Sequence, residues 1–249
     1  MNCNFNAIRC SKFSILKQKY DNEIKMRGDS YINALINFDN IAENKVRSIL
    51  GTGTSADQAW KSCKGALYEY AVCKAIEEIF NNIPELNSKL DVIHGSMLKQ
   101  KHKNQITITN WTDILPDVDF AVIDKSTEIV RAIISCKTSL RERLTETAFW
   151  KKEIQNRKIE YVFITTDKDD ELRNDRNRYI VMHVLDYTII TDPAQLNNVI
   201  NTWRTKYGNK SDFNQLIMKI GGIRKLCEVL CQYAGLGSTT CSYCNSLPS

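Results

Sequence analysis

A chain of 249 residues with 43% apolar and 25% charged side chains carries enough apolar material for a full core, which excludes a disordered polypeptide. The formal charge of +5 is mild and permits contact with nucleic acid without requiring it. No apolar run reaches the roughly eighteen residues of a membrane span, and the start MNCNFNAIRCSKF has no apolar signal core, so a cytoplasmic protein without a membrane segment is expected, with its nine cysteines as reduced thiols.

Residues 1–50 are polar, with Phe13, Leu16 and Tyr20 at helical spacing and Ile32, Leu35, Ile36 and Phe38 less regular, which predicts two helices. Gly51 to Ser55 reads as a turn. It lacks the Gly-Lys-Ser/Thr end of a phosphate loop, and Ser55 or Asp57 suits a helix cap. Residues 57–82 give the clearest helical pattern, through Trp60, Leu67, Tyr70, Ile76, Ile79 and Phe80. Glu69 sits in that run among apolar neighbours. Lys61 and Lys64 lie on its first turns, as candidates for phosphate contact or as plain solvated lysines. Pro84 ends the helix, and short strands are expected at Leu90–Ile93 and Ile106–Ile108, with a basic stretch from His94 to Lys103 between them.

Residues 114–137 read as a hairpin: Phe120-Ala121-Val122-Ile123, a polar turn at 124–127, then Ile129 to Lys137. Side chains alternate along a strand, so Asp117 and Asp119 share one face and Ser135 and Lys137 share one face of the partner. An odd number of residues in the turn would make the two faces coincide and bring carboxylates to a lysine. Carboxylate oxygens hold Mg²⁺, the metal activates water, and a lysine orients that water, which is the set that phosphodiester cleavage requires.

A helix is predicted over 141–158, with Arg141 and Arg143 at its start. On their own these charges read as a surface cluster capping the helix or as base readers: an arginine fork pairs with guanine O6 and N7, and Glu142 can accept from cytosine N4 or hold the two guanidinium groups. Ile159–Thr166 reads as a strand, 167–177 as a charged loop and 179–190 as one or two strands with His183 a core or hydrogen-bonded residue. Helices follow at 193–203, 213–220 and 223–233, the last two broken at Gly221-Gly222. Cys227 and Cys231, then Cys241 and Cys244, have a spacing that admits structural zinc, although buried reduced thiols are the plainer reading.

Pro116-Asp117 followed by Ser135-Cys136-Lys137 resembles the PD-(D/E)XK nucleases. The continuation Lys137-Thr138-Ser139-Leu140-Arg141-Glu142-Arg143 is similar to type II restriction endonucleases that read CCGG-like sites, the BsaWI type among them. The resemblance covers about 80 residues. It implies an α/β PD-(D/E)XK core, a central mixed sheet flanked by helices, at 56–205, with helical additions at 1–55 and 206–249. It also implies that Ser135 stands where an acidic residue is lost and that a helix glutamate replaces it. The position where that glutamate usually falls is Trp150 here. Glu146, with Glu153 in reserve, shares its helical face. Glu69 matches a second glutamate that reaches the site from the helix before the hairpin. The expected protein is a Mg²⁺-dependent homodimer that cuts double-stranded DNA at a short palindrome. Asp117, Asp119, Glu146 and Glu69 would bind metal or act in catalysis beside Lys137, and Arg141, Glu142 and Arg143 would read bases. A repair or nicking nuclease of the same fold, or a degenerate DNA-binding protein, are the alternatives.

Overall fold

In a computed structural model, residues 3–5, 7, 10–109, 113–138, 143–154 and 158–249 are described, without the Arg143 side chain. Helices α1 (Phe13–Arg27), α2 (Tyr31–Ile36) and α3 (Phe38–Ile41) lead through a π turn and a 3₁₀ turn into α4 (Thr54–Asn82). The Ser30 hydroxyl caps α2 by accepting from Asn33 N–H, and α1 stops at Gly28, whose positive φ of 62° suits a residue without Cβ. After α5 (Pro84–Lys89) come β1 (Leu90–His94), α6 (Gly95–Lys101) and α7 (Lys103–Ile106). A small ribbon of β2 (Ile108–Thr109) and β3 (Asp113–Ile114) precedes the predicted hairpin, β4 (Phe120–Asp124) and β5 (Ile129–Lys137). The second half holds α8 (Arg143–Ile154), β6 (Glu160–Thr165), α9 (Asp175–His183), β7 (Tyr187–Ile190), α10 (Pro193–Tyr207), α11 (Phe213–Met218), β8 (Ile220–Gly221) and α12 (Ile223–Tyr233).

Six strands form one mixed sheet in the order β1-β4-β5-β6-β7-β8. The first three pair antiparallel, and β5 through β8 pair parallel. Both faces are covered by helices, so the sheet strands are apolar almost throughout, as burial on two sides demands. Alternation sorts them. Phe120, Val122, Ala132, Ile134, Val162 and Ile189 pack with α1, α2, α4 and α12, whereas Ala121, Ile133, Tyr161, Phe163 and Ile190 pack with α6, α8, α9 and α10. The first of these cores takes side chains from all three segments that the sequence divides at 55 and 205. Among the described residues no helix is long and apolar enough to cross a membrane.

Several expectations need correction. Residues 179–190 are not strand throughout. Asn174 caps α9 by accepting from Arg176 N–H, so Ile180, Val181 and Met182 are helical core residues, and only Tyr187–Ile190 pairs in the sheet. His183 is thereby an exposed residue of the last turn of α9 instead of a core residue. The expected strand at Ile106–Ile108 divides into the end of α7 and the start of β2. The reduced-thiol reading fails for eight cysteines, which form Cys3–Cys73, Cys10–Cys63, Cys227–Cys244 and Cys231–Cys241; Cys136 alone is free, and it is buried. Helix periodicity placed these sulfurs inside the fold but carried no sign of which would meet across it.

Candidate active site

The hairpin register decides whether the acidic residues meet the lysine. At the turn Asp124 pairs with Ile129, which leaves four residues between them, an even number. In that register Asp119 would stand opposite Ile134 and on the wrong face. The register shifts between Val122 and Ile123: Ile123 pairs with Val130, but Val122 pairs with Ala132. Arg131 is the extra residue of a β-bulge, with its guanidinium bonded to Asp124 outside the sheet. This one added residue makes the parity odd, so Asp119 shares a face with Ser135 and Lys137.

The result is a buried charge cluster at the end of β5. Lys137 Nζ lies 3.0 Å from Asp119 Oδ2 and 3.2 Å from Asp117 Oδ2. The same Asp119 oxygen accepts the Cys136 backbone N–H at 2.6 Å. Asp119 is buried, while Asp117 is about half exposed at 48%. Burial pushes the Asp119 carboxyl up from its ordinary value, with Asp117 adding to the rise and Lys137 and the Cys136 N–H opposing it. Burial works against the Lys137 ammonium, but Asp119, Asp117 and Glu69 outweigh it and hold the lysine charged. Glu69 acts on Lys137 and Cys136 from α4, the helix that packs against β5. The Tyr161 hydroxyl donates to the Asp117 carbonyl at 3.4 Å and also bonds the Ser135 side chain. Two carboxylates thus close on one lysine, and the charge of Glu69 on α4 reaches the same lysine, which sets hard oxygen donors around a fixed cation.

One residue of this site carries no chemical signal in sequence. Gly95 N–H donates to the Asp119 carbonyl at 2.8 Å, and a Cβ at Gly95 would lie 1.8 Å from the Val118 carbonyl oxygen. A side chain there would push the 117–119 segment outward. Only the close approach of two backbones reveals this, and the nearest sequence clue is a glycine directly after a strand. His94, one residue before, stacks on Phe5 with ring centroids 4.3 Å apart and meets Phe120 edge-on. Burial lowers its pKa while Asp119 raises it.

The remaining expected residues fall elsewhere. Glu146 and Glu153 stand exposed on α8, and among the described residues no contact joins them to Lys137. Arg141 and Glu142 lie outside the described residues, as does the Arg143 side chain. Lys61 is exposed on α4. Lys64 is engaged: its Nζ bonds Glu43 at 3.0 Å and pairs with Asp39, and Trp60 Nε1 donates to the same glutamate at 3.0 Å. Two residues past β6, the strand that pairs with β5, Asp167 is buried and accepts the Leu172 N–H at 3.2 Å, and among the described residues its Oδ2 has no hydrogen-bond partner. Burial pushes its carboxyl up to about 7.

Residues 97–216 match the family model described as BsaWI restriction endonuclease type 2, just under half of the chain. A probable type II restriction enzyme of Helicobacter pylori (strain ATCC 700392 / 26695), HpyAORF263P, is 30% identical over 119 residues, which is 41% of this chain and 61% of that protein. This chain thus spans about three fifths of the curated relative it matches. The solved complex of restriction endonuclease PspGI with substrate DNA superposes with a TM-score of 0.61 at 13% identity, over 90% of this chain and 93% of that one. The fold, a six-stranded mixed sheet between helical layers, is the one that PspGI has.

Proposed function

We propose that this chain is a divalent-metal-dependent endonuclease of the type II restriction class, hydrolysing phosphodiester bonds of double-stranded DNA at a short specific site. The observation that carries the reading is the convergence of Asp119 and Asp117 on Lys137 at the end of β5, with α4 and its Glu69 packed against that strand. The match to the BsaWI model and the DNA-bound PspGI likeness support it independently.

The donor set fits a hard cation: the side chains that meet there offer carboxylate oxygens, and burial leaves Asp119 short of compensating positive charge. Asp119 and Asp117, with Glu69 from α4, would hold Mg²⁺, which supplies charge neutralisation at the phosphate and an acidified water. Lys137, fixed between two carboxylates, would hold and orient the attacking water and donate a hydrogen bond to the scissile phosphate. The buried Cys136 N–H sets the angle of the Asp119 carboxylate, and Gly95 and Tyr161 hold the backbone around it. Arg141, Glu142 and Arg143 would read a CCGG-containing or related palindrome, and a twofold site calls for a homodimer.

Digestion of a plasmid of known sequence with Mg²⁺ and with EDTA tests the reading. A discrete Mg²⁺-dependent ladder whose ends map to one short C·G-rich site is expected. Cleavage that persists in Lys137→Met, or no cleavage with Mg²⁺ or Mn²⁺, would overturn it.

A further inference from the structure

The eight bonded cysteines are of two kinds. Cys63 and Cys73 both lie on α4, ten residues apart, about 15 Å along the helix axis, so Cys10–Cys63 and Cys3–Cys73 are isolated pairs. The other four converge on one point. Cys227 and Cys231 are one turn apart on α12, and Cys241 and Cys244 lie three apart across the start of a short 3₁₀ helix facing it. The sulfurs of Cys227, Cys231 and Cys244 lie within 4.8 Å of one another, and Cys241 is bonded to Cys231. All four residues are buried.

A disulfide needs two sulfurs. Four brought to one place on two short elements meet a further requirement, that of a tetrahedral thiolate metal site. A zinc–sulfur bond of about 2.3 Å gives a tetrahedron with sulfur–sulfur edges of about 3.8 Å. The Cys231–Cys244 separation, across the two bonded pairs, is 3.9 Å. The backbone already has the span: the bonded pairs have Cα–Cα distances of 5.5 and 6.4 Å, so opening each S–S bond by under about 2 Å needs side-chain rotation more than backbone movement. The spacings C-x₃-C and C-x₂-C fall within the range of structural zinc knuckles. The cluster has no open position, so it is structural and not catalytic. It fastens residues 241–249 to α12, where Arg224 also bonds the carbonyls of Asn245 and Leu247.

We propose that Cys227, Cys231, Cys241 and Cys244 form a structural tetrathiolate site for zinc in the reduced protein, and that the two disulfides are its oxidised, metal-free form. The balance is simple. A dithiol or phosphine reductant supplies two electrons to each disulfide, and four protons complete four thiols. Zinc then binds four thiolates and releases those four protons.

The test uses the full chain, reduced anaerobically with a phosphine and loaded with Co²⁺ in place of Zn²⁺. One cobalt per chain is expected, with tetrahedral d–d bands and a thiolate charge-transfer intensity of four sulfurs, both erased by one equivalent of zinc. The signal should be lost in Cys241→Ser/Cys244→Ser and unchanged in Cys3→Ser/Cys10→Ser. If the serine variant unfolds, the sulfur count in the wild-type spectrum still decides. No tightly bound metal in the reduced wild type, fewer than four thiolates, or persistence of the site in Cys241→Ser/Cys244→Ser would overturn the proposal.

Discussion

Replacing Lys137 by methionine keeps most of the length of the side chain and removes its charge, which isolates the electrostatic role of the lysine. At 3.0 Å the Lys137–Asp119 attraction is worth about 5 kcal/mol gross at an effective dielectric near 20. Removing one partner of a buried pair typically costs about 3–5 kcal/mol, because the other charge stays buried and uncompensated. That cost has a ceiling, since Asp119 can take up a proton instead. Each pH unit above its ordinary pKa of 3.8 makes protonation dearer by about 1.4 kcal/mol. At pH 5 the ceiling is therefore about 1.6 kcal/mol, and at pH 8 it lies above the full electrostatic penalty. In the wild type Lys137 has a raised pKa, so its contribution is complete at both values and is lost only in strong alkali. In the variant Asp119 has a raised pKa, so its penalty is present at high pH and fades as pH falls. Urea unfolding at pH 5 and pH 8 should show a loss of about 3–5 kcal/mol at pH 8 that shrinks to about 1.6 kcal/mol or less at pH 5. Equal losses at the two pH values would refute the buried-pair reasoning.

Three other outcomes are expected. Gly95→Ala should cost about 1–3 kcal/mol by overpacking against Val118 and should weaken Mg²⁺-dependent cleavage, read by unfolding and by digestion; an active, undiminished variant would show that the 117–119 segment has room to give. Deleting Arg131 should remove the bulge without moving the partners beyond it, because Val122 and Ala132 then continue directly from Ile123 and Val130 and Asp119 stays on the face of Lys137; Mg²⁺-dependent cleavage should persist in digestion assays, and its loss would mean that the bend of the bulge, and not only the register, shapes the site. Asp167 has a folded pKa of about 7 against 3.8 unfolded, so the folded state binds the extra proton between these values and stability from this group falls as pH rises through them. Asp167→Asn should flatten that slope and stabilise the protein by about 1–3 kcal/mol at pH 8, and an unchanged slope in the unfolding midpoints would remove Asp167 as its source.

Part of the site was legible from local pattern. The hairpin and Lys137 at its end followed from spacing and composition, whereas the periodic helix placed Glu69 only on α4 and its part in the site came from the family resemblance. Parity was not legible. The sequence stated the condition for Asp119 to meet Lys137, but the four-residue turn alone fails it, and the condition is met by a bulge at Arg131 that no residue type announces. Residues 179–182 misled because a short apolar run suits a buried helix as well as a strand, and the deciding signal was the Asn174 cap. Gly95 was passed over because its role is an approach between two backbones distant in sequence. The cysteine pairings depend on tertiary contact in the same way.

Cys136 turns the central strand into its own reporter. Its eight companions are bonded, and it is the single free thiol, held under α4 between the residue that completes the hairpin and the lysine at its end. Burial keeps the thiol protonated and out of reach of solvent. A thiol reagent in excess can therefore label the native chain only when β5 separates from its cover. The labelling rate measures how often that strand opens, and the free energy of opening follows from the rate for the unfolded chain. The same clock, run with and without metal or DNA, would register how much each ligand tightens the strand, with no need to observe a cut.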